Sequence, residues 1–499
     1  MGTFADLPPE LVVIVSQYLF PSDFNNLRLV SRSIKHKAEA FVDECRELQV
    51  RYSSHTNHGI WNADHYGCGS LAGLLRDLIR SPCHAPYVQR LSLYRWYTTW
   101  SRNCYRGGHI VERAQKECER RKDTQELLDS PLTEAAKGCL GSLDPRQFDH
   151  LTKEVRLGNQ TAILAMLVMK LPCLSTLHLT RIDHFDNLFN NAILCVAKAP
   201  ESGLLSRLTM VSVSLKDDRA GICLITAFAT LPSMRAIHAE GLGTGDDYNN
   251  RQARELMPMR SRVTELSLRY TGAQNSLLLN LLNCCHDLKG FEFLVDPSNR
   301  RCQLYQYHAL STQCPPYNGF GKSTWATSVE RILLRDYNPV VHHYKDFFRF
   351  FHSLREVDVE FRIIYASHNA EVLFYYEVLS TCMMAVLPIT VEKVILRYAD
   401  EQHEEDFGAV VDEVCWADGF HKRERLPYLQ HIHFQAIEAP IPSVPAHEEP
   451  QEYRGNRFPI VEKNPCFLYW GVQRCLRIGV ILTSDIRLKT GDSLSMSDR

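Results

Sequence analysis

The architecture of this chain follows from a six-residue pattern that is clearest in Leu174-Ser175-Thr176-Leu177-His178-Leu179. Two free positions separate the first apolar residue from the second, and one separates the second from the third. Apolar residues two positions apart point to the same face of a β-strand. The pattern recurs at 88–93, 174–179, 208–213, 234–239, 263–268, 288–293, 329–334, 354–359, 391–396 and 429–434. The sequence therefore predicts ten short strands.

Apolar stretches with helical spacing separate these strands. Helices are predicted at 161–170, 185–199, 220–230, 273–285, 345–351, 370–384 and 404–416. Strands alternating with helices indicate the α/β class with a parallel sheet. Polar residues at the free positions, such as His178 and Asp358, indicate that one sheet face meets solvent. This favours a repeat array over a doubly wound α/β domain, whose strands should be continuously apolar.

Composition limits the class of protein. The chain has 499 residues, 45% of them hydrophobic, which excludes a disordered or collagen-like protein. With 56 basic and 58 acidic residues, the net charge of −2 gives no global reason to bind nucleic acid. The 17 cysteines show no C-x-x-C spacing, so a reducing compartment, the cytoplasm or nucleus, is expected. Neither a signal peptide nor a membrane span is predicted.

The N-terminal region predicts three short helices. The first runs from Pro9 to Leu19, the second follows Ser22 as its N-cap, and the third covers Ile34 to Val42. These helices carry more apolar residues than one small core needs, so some of that surface is expected to face a partner. The surplus residues are Val12, Val13 and Leu29.

This region closely resembles the F-box. The matching residues are Leu7-Pro8-Pro9-Glu10-Leu11, Ile14, Tyr18-Leu19, Asp23-Phe24 and Leu27-Arg28-Leu29-Val30-Ser31-Arg32. The resemblance implies docking on the Skp adaptor of a cullin–RING ubiquitin ligase, with Phe24 keeping a contact usually made by Leu. It assigns adaptor contact or helix support to Leu7, Pro8, Glu10, Leu11, Ile14, Leu19, Leu27, Val30, Ser31 and Arg32. The alternative is a helical cap on the repeat array.

The repeated strand pattern resembles that of a leucine-rich repeat. The copies from 174 onward are spaced by about 32 residues, more than the 20 to 29 of regular repeats, and the usual Asn or Cys after the strand is largely missing. The resemblance implies an irregular leucine-rich-repeat-like solenoid with its parallel sheet on the concave face, preceded by the three-helix F-box.

These patterns divide the chain into five parts. The F-box covers 1–45, a connecting segment 46–87, and the array 88–439 with a charged helical insertion at 94–160. A proline-rich linker or loop follows at 440–465, and a terminal helix and tail at 466–499.

Arginine and tyrosine follow several of the predicted strands. By alternation, Arg269, Arg335 and Arg397 point toward the concave face. Because both residue types are enriched at interfaces, the candidate contacts with a target protein are Arg269, Tyr270, Arg335, Tyr337, Arg397 and Tyr398. The arginines could equally pair with carboxylates of neighbouring strands, namely Glu240, Glu292, Asp358 or Glu360.

Two further motifs suggest chemistry but do not satisfy its spacing. In Gly319–Thr324, a Gly-Lys-Ser sequence suggests a phosphate-binding loop, but Pro316 stands where such a loop needs glycine. A possible zinc set lies in a segment that has the composition of a loop and lacks the usual second cysteine. Its members are His55, His58, His65 and Cys68. The sequence therefore predicts no metal, no cofactor and no catalytic residues.

Together, these patterns predict a substrate-recognition adaptor rather than an enzyme. The F-box would dock on a Skp-type adaptor, and through it on a cullin–RING ligase, while the array holds an unknown target protein for ubiquitination. The alternative is an F-box and repeat scaffold without a role in ubiquitin transfer.

Overall fold

The fold is seen in a computed structural model. The residues that the structure describes are 6–17, 19–57, 71–94, 145–156, 160–182, 187–198, 203–215, 222–242, 260–271, 275–295, 324–335, 348, 351–360, 387–398, 410–411, 414–415, 420–436 and 473–484. The chain forms two compact units, unit 1 (Met1–His286) and unit 2 (Asp287–Arg499). The repeat pattern occurs in both.

The described part of unit 1 begins with four short helices. They are α1 (Pro9–Gln17), α2 (Pro21–Val30), α3 (Arg32–Lys37) and α4 (Glu39–Tyr52). The predicted third helix is divided at Ala38, whose N–H donates to the carbonyl of Ile34 at 2.8 Å. The prediction of Ser22 as an N-cap is wrong, because α2 begins at Pro21. Proline suits that first position because its missing N–H would have no helical partner.

Six parallel strands follow in unit 1, with helices between them. The strands are β1 (Ser54–Asn57), β2 (Arg90–Tyr94), β3 (Thr176–Ile182), β4 (Met210–Leu215), β5 (Ala236–Glu240) and β6 (Glu265–Thr271). The helices are α5 (Leu71–Arg80), a 3₁₀ helix (Pro82–Tyr87), α6 (Pro145–Arg156), α7 (Gln160–Met169), α8 (Asn187–Lys198), α9 (Ile222–Ala229) and α10 (Asn275–Cys284). Each strand pairs with the next in chain order. This order lacks the reversal of a doubly wound sheet.

The apolar positions of the repeat stand in register from strand to strand. Leu91 pairs with Leu177, Leu177 with Val211, and Val211 with Ile237. All four side chains are fully buried on one face of the sheet. Burial of each contributes about 1.5–3 kcal/mol. A shift of one residue would turn every such side chain to the other face, so the apolar rows determine the register.

The helices of unit 1 pack side by side in the order of the strands. α5 packs on α7, α7 on α8, α8 on α9 and α9 on α10, and α9 also contacts β5. Every residue of α9 is buried, including Thr226, whose hydroxyl donates to the carbonyl of Ile222 at 2.9 Å. A helix without a polar face has to be enclosed on all sides. The core of unit 1 therefore lies between these helices and the apolar face of the sheet.

Unit 2 has the same plan. Its strands are β7 (Gly290–Val295), β8 (Arg331–Arg335), β9 (Glu356–Glu360), β10 (Lys393–Tyr398), β11 (His431–Ala436) and β12 (Ile481–Ser484), again parallel and paired in chain order. Its helices include α11 (Thr324–Ser328) and α12 (Phe420–Arg425). The core contains Trp325, whose ring packs edge to face on Phe291 at 5.9 Å and on Phe351 at 5.4 Å between centroids.

Backbone hydrogen bonds just before the strands extend the pairing. The carbonyl of Ser175 accepts from the N–H groups of Thr209 and Met210 at 3.0 and 3.1 Å. The carbonyl of Thr209 accepts in the same way from Arg235 and Ala236, both at 2.9 Å. Each repeat thus aligns the start of the next strand. The same arrangement recurs in unit 2 at Lys289, Glu330, Arg355 and Glu392.

All ten strands predicted from the six-residue pattern are confirmed. Each begins two residues after the first apolar residue of its copy, and that residue is fully buried in every copy from Val88 to Leu429. The pattern misses β1 and β12. Register with the neighbouring strand identifies the residues at the three apolar positions of the pattern. They are Tyr52, His55 and Asn57 for β1, and Gly479, Leu482 and Ser484 for β12. Each of these copies has one apolar residue where the others have three.

The helices predicted at 161–170, 185–199, 220–230 and 273–285 are confirmed as α7 to α10. Much of the predicted insertion at 94–160, the helix at 370–384 and the proline-rich segment at 440–465 lie outside the described residues, although α6 falls within the insertion. Among the described helices, none has the length and apolar character needed to cross a bilayer.

Replacing Leu177 with Ala should lower the free energy of unfolding by about 2–4 kcal/mol, because removing a fully buried side chain leaves a cavity in the apolar row. The adjacent Thr176 is half-buried on the other face, so Thr176→Ala should cost less than about 1 kcal/mol. Urea unfolding followed by circular dichroism measures both variants. Equal losses would contradict the assignment of the two sheet faces.

Candidate functional site

The four N-terminal helices, here called the helical module (residues 6–52), share a small core of their own. The ring of Phe24 in α2 packs edge to face on Phe41 in α4, with centroids 5.2 Å apart. Both are buried, as are Val12 and Ile34. Phe24 is therefore a core residue, which corrects the expectation that it keeps a contact with a partner. Val12 is likewise not part of the surplus apolar surface.

Five large apolar side chains of α1 and α2 are exposed. Leu11, Ile14 and Val15 lie on one side of α1 and are 45%, 50% and 37% exposed. Leu29 and Val30 end α2 and are 85% and 76% exposed. We call these five the outer apolar residues. Full burial of such a side chain is worth up to about 1.5–3 kcal/mol, so these positions suit contact with another protein.

None of the ten residues that the F-box resemblance assigns to adaptor contact or helix support is buried. Pro8, Glu10, Leu11, Ile14, Val30 and Arg32 are exposed, and Leu7, Leu19, Leu27 and Ser31 are half-buried. Leu29, predicted from the sequence as surplus apolar surface, is exposed, and the structure adds Val15 to the exposed set. Helical spacing could have identified Val15, which lies one turn after Leu11.

A basic helix follows the outer apolar residues of α2. Arg32, Lys35 and His36 of α3 are exposed. Lys37 is half-buried, and its Nζ donates to the carbonyl of Leu7 at 2.9 Å, which ties α3 to the residues that lead into α1. The exposed apolar and basic side chains together would complement a partner whose apolar contact area is bordered by carboxylates.

The helical module joins the sheet without a flexible linker. α4 ends at Tyr52 and β1 begins at Ser54, so a single residue separates helix from strand. The carbonyl of that residue, Ser53, accepts N–H bonds from Gln89 and Arg90 at the start of β2. The last helix of the module is thus fixed directly to the first strands of unit 1.

Aromatic contacts hold α4 on the 3₁₀ helix. The ring of Tyr52 stacks on that of His84 with centroids 5.2 Å apart, and the guanidinium carbon of Arg51 lies 5.2 Å from the centroid of the Tyr52 ring. Burial, and then the charge of Arg51, lower the pKa of His84. Burial and a hydrogen bond with Cys45 raise the pKa of Tyr87. Both pKa shifts favour the uncharged forms of the two rings, and the charges that act on His84 are those of Arg51, Asp77 and Glu44.

Arg207 provides a second attachment, from the turn before β4. Its guanidinium carbon lies 4.4 Å from the centroid of the Phe20 ring, which immediately precedes α2. Its Nη1 lies 3.6 Å from the Sγ of Cys173. Burial raises the pKa of the Cys173 thiol, and the charge of Arg207 partly opposes that rise. A cation over an aromatic ring contributes about 0.5–1 kcal/mol at an exposed site. The module is therefore attached both through α4 and through the residue that precedes α2.

The face of the unit 1 sheet opposite the buried apolar row carries a row of small hydroxyl and imidazole side chains. The row in register across its strands is Thr56, Ser92, His178, Ser212, His238 and Ser267. Burial, followed by the charges of His238 and Arg90, lowers the pKa of His178. At neutral pH His178 consequently offers a hydrogen-bond donor and an acceptor rather than a charge.

On the corresponding face of unit 2, ion pairs join neighbouring strands. Nε and Nη2 of Arg397 donate to the two carboxylate oxygens of Asp358 at 2.5 and 2.6 Å. Nζ of Lys393 lies 2.7 Å from Oε1 of Glu356. Asp358 is only 7% exposed, and the bidentate arginine supplies hydrogen bonds to both of its carboxylate oxygens. These charged side chains bind across the strands of their own sheet.

The six predicted target contacts differ in their environments. Arg269 is exposed on β6, Arg335 is half-buried on β8, and Arg397 is held by Asp358, one of the pairings that the sequence leaves open. Arg269 is thus the most exposed of the three arginines. Of the tyrosines, Tyr270 and Tyr398 lie within β6 and β10, and Tyr337 falls outside the described residues.

The weaker sequence motifs are only partly within the described residues. His55 lies in β1, where it pairs in register with Leu91. The other members of the possible zinc set, His58, His65 and Cys68, lie outside, as do residues 319–323 of the glycine motif. Among the side chains that the structure does describe, no three or more histidine, cysteine or carboxylate groups gather as metal ligands would.

Comparison with known proteins adds no assignment: no protein-family model matches the chain, and a search of curated proteins found no match. Function is therefore inferred from the residues and contacts described above.

Replacing Arg207 with Ala should loosen the second attachment. Amide hydrogen exchange at the start of α2 should rise about two- to fivefold, because the cation–π contact with Phe20 contributes about 0.5–1 kcal/mol. Arg262→Ala removes another exposed arginine of unit 1 and is the matched control. Unchanged exchange in Arg207→Ala would show that Phe20 is held by other contacts.

The junction between α4 and the 3₁₀ helix should be sensitive to acid. The pKa of His84 is lowered in the fold from its ordinary 6.5, so the unfolded chain takes up this proton first as the pH falls. The contribution of neutral His84 to the free energy of unfolding is complete above pH 6.5. It is lost as the pH falls through the lowered pKa that His84 has in the folded protein. His84→Phe, which keeps a ring against Tyr52, should therefore lose less stability than the wild type between pH 7 and 5.

Thermal unfolding at several pH values measures this difference. His352→Phe replaces an exposed histidine of unit 2 and should leave the acid sensitivity unchanged. An identical pH profile for His84→Phe and the wild type would contradict the predicted role of His84.

Proposed function

We propose that this protein is the substrate-recognition subunit of an SCF-type cullin–RING ubiquitin ligase. Its helical module would dock on a Skp-type adaptor, and its repeat array would hold a target protein. The observation that carries the proposal is the outward position of Leu11, Ile14, Val15, Leu29 and Val30 on a module whose own core is already filled. Such residues favour a module that completes its packing on another protein.

A helical cap on the array explains less. Both readings account for the attachment of α4 to β1 and of Phe20 to Arg207. A cap, however, closes a repeat array with a polar outer face. Leu29 and Val30, at 85% and 76% exposed, have no role in a cap. The F-box pattern assigns Val30 to an adaptor contact, and the exposed basic side chains of α3 would add electrostatic selection of an acidic adaptor.

We further propose that the array is an irregular leucine-rich-repeat solenoid. Support comes from the sequential order of the parallel strands, from their buried apolar rows, and from the polar rows on the other face. In such a solenoid each repeat packs mainly on its neighbours, and the polar sheet face is available for binding. The uneven spacing of the copies would be taken up by insertions between strand and helix.

The protein's contribution to ubiquitin transfer would be proximity. A tethered target has a raised local concentration of lysines near the transfer machinery, which requires no acid, base or nucleophile from this chain. The absence of a flexible segment between α4 and β1 would make the distance between adaptor and target well defined. On this proposal the protein acts in the cytoplasm or nucleus, which are reducing compartments.

The target is expected to bind first to the polar face of unit 1. The hydroxyl and imidazole row there is half-exposed around His178, and Arg269 on β6 is exposed. Arg397 in unit 2 would have to give up its bidentate bond with Asp358 before it could hold a target. Arg269 therefore offers the more exposed guanidinium for a target contact.

Docking on the adaptor is tested by charging the outer apolar residues. The double variant Ile14→Asp and Val30→Asp should weaken binding of a Skp-type adaptor by roughly tenfold or more, because it places carboxylates in an apolar contact. Val50→Asp is the matched control, since Val50 is 85% exposed on α4 but outside the proposed contact. Calorimetry or pull-down with the full chain measures the three affinities.

Adaptor binding that survives the double variant would refute the proposed docking site. Binding that is lost while bound target proteins keep the same half-life would instead support a scaffold without ubiquitin transfer. That half-life is compared in cells between the wild type and the double variant, with and without proteasome inhibition.

A further inference from the structure

Two buried cysteines of unit 2 are in direct contact. The Sγ atoms of Cys415 and Cys475 lie 3.7 Å apart, and the two residues are 60 positions apart in the chain. Cys475 is fully buried and Cys415 is 6% exposed. Both are free thiols. The hydrogen bond with Cys415, together with burial, raises the pKa of the Cys475 thiol.

The backbone connects Cys475 directly to the last described strand. Cys475 lies in a helical turn at 473–477, and its carbonyl accepts the N–H of Val480 at 2.9 Å. Gly479, between them, has a φ of +76°, a conformation that lets the chain leave the turn and that glycine adopts without strain. β12 begins at Ile481, directly after Val480, and the N–H of Ile481 donates to the carbonyl of Gln430 at 2.7 Å.

β12 has weaker anchoring than the other strands of unit 2. The three apolar positions of the repeat pattern hold Gly479, Leu482 and Ser484 in this strand. Only Leu482 is therefore an apolar side chain at these positions. The described pairing of β12 is with β11 alone, as expected for the last strand of a sheet. Because a strand at the end of a sheet has one pairing neighbour, an additional link to the rest of the protein stabilises it more than it would stabilise an inner strand.

We propose that Cys415 and Cys475 form a reversible, redox-dependent disulfide that secures the last repeat of unit 2. The two sulfur atoms need to approach by less than 2 Å to reach the bonded distance of about 2.05 Å. The bond would close a loop of 60 residues and fix, through Cys475, the turn from which β12 starts. This inference concerns unit 2 and does not depend on the proposed docking of the helical module.

The oxidant would be a small-molecule disulfide such as oxidised glutathione. One protein thiol loses its proton, and the thiolate attacks glutathione disulfide, releasing one glutathione as its thiolate. The second protein thiolate then attacks the protein sulfur of the mixed disulfide and releases the second glutathione. The protein loses two protons and two electrons, and the oxidant becomes two molecules of reduced glutathione.

Burial makes this reaction slow in the folded protein. The raised pKa of Cys475 keeps the thiolate scarce at neutral pH, and both sulfur atoms must be uncovered before they can be attacked. The rate should therefore rise about tenfold per pH unit between pH 7 and 8.5, in proportion to the thiolate fraction. Once formed, the buried bond should be correspondingly resistant to reduction.

The test is oxidation of the full chain with glutathione disulfide at pH 8.5, followed by alkylation of the remaining thiols and tryptic digestion. The sequence separates the relevant peptides: Cys415 lies in 398–422, Cys475 in 475–477 and Cys466 in 464–474. We expect a linked peptide that joins 398–422 to 475–477. Oxidised protein should also unfold about 5 °C or more above the reduced protein, because the bond constrains the unfolded chain.

Cys475→Ala should abolish both the linked peptide and the thermal shift. Cys223→Ala, a fully buried cysteine of unit 1, should preserve them. The proposal is overturned if Cys415 and Cys475 are recovered only as alkylated thiols or as disulfides with other partners. It is also overturned if the bond forms but leaves the unfolding temperature and the amide exchange of β12 unchanged. Should Cys475→Ala fold poorly, the digest of the wild type alone still decides whether the bond forms.

Discussion

The in-register stacking of buried apolar side chains is the constraint on which this structure depends. Leu91, Leu177, Val211 and Ile237 occupy equivalent positions of successive strands, and none is exposed to solvent. Because side chains alternate along a strand, burying this row sends the intervening residues to the opposite face. The polar face that could bind a partner is therefore a consequence of the apolar packing.

The two units use that polar face differently. In unit 1 it presents a row of hydroxyl and imidazole groups, with burial and neighbouring positive charge lowering the pKa of His178. In unit 2, Arg397 and Lys393 bind carboxylates of the adjacent strand. The same backbone thus carries a row of hydroxyl and imidazole groups in one unit and cross-strand ion pairs in the other. Charge pairing across strands also helps to hold the register of unit 2.

The helical module combines secure attachment with an outward apolar surface. Ser53 and Arg207 fix it to unit 1 at two places, while Leu29 and Val30 at the end of α2 remain almost fully exposed. A module that served only to cover the end of the array would not need those side chains. Their exposure is understandable if a second protein covers them, which is the basis of the proposed ligase function.

The sequence alone determined the strands and most described helices, because a spacing of apolar residues is a local property that the backbone must follow. It missed β1 and β12, whose apolar positions hold His55, Asn57 and Ser484 and which are strands only because a neighbour offers hydrogen bonds. It identified residues such as Ile14 and Val30 as candidate contacts through a resemblance. Only the tertiary structure decided that Phe24 and Val12 are internal, that Arg397 is held by Asp358, and that Cys415 meets Cys475. Those outcomes depend on which distant segments pack together, and no local spacing encodes that.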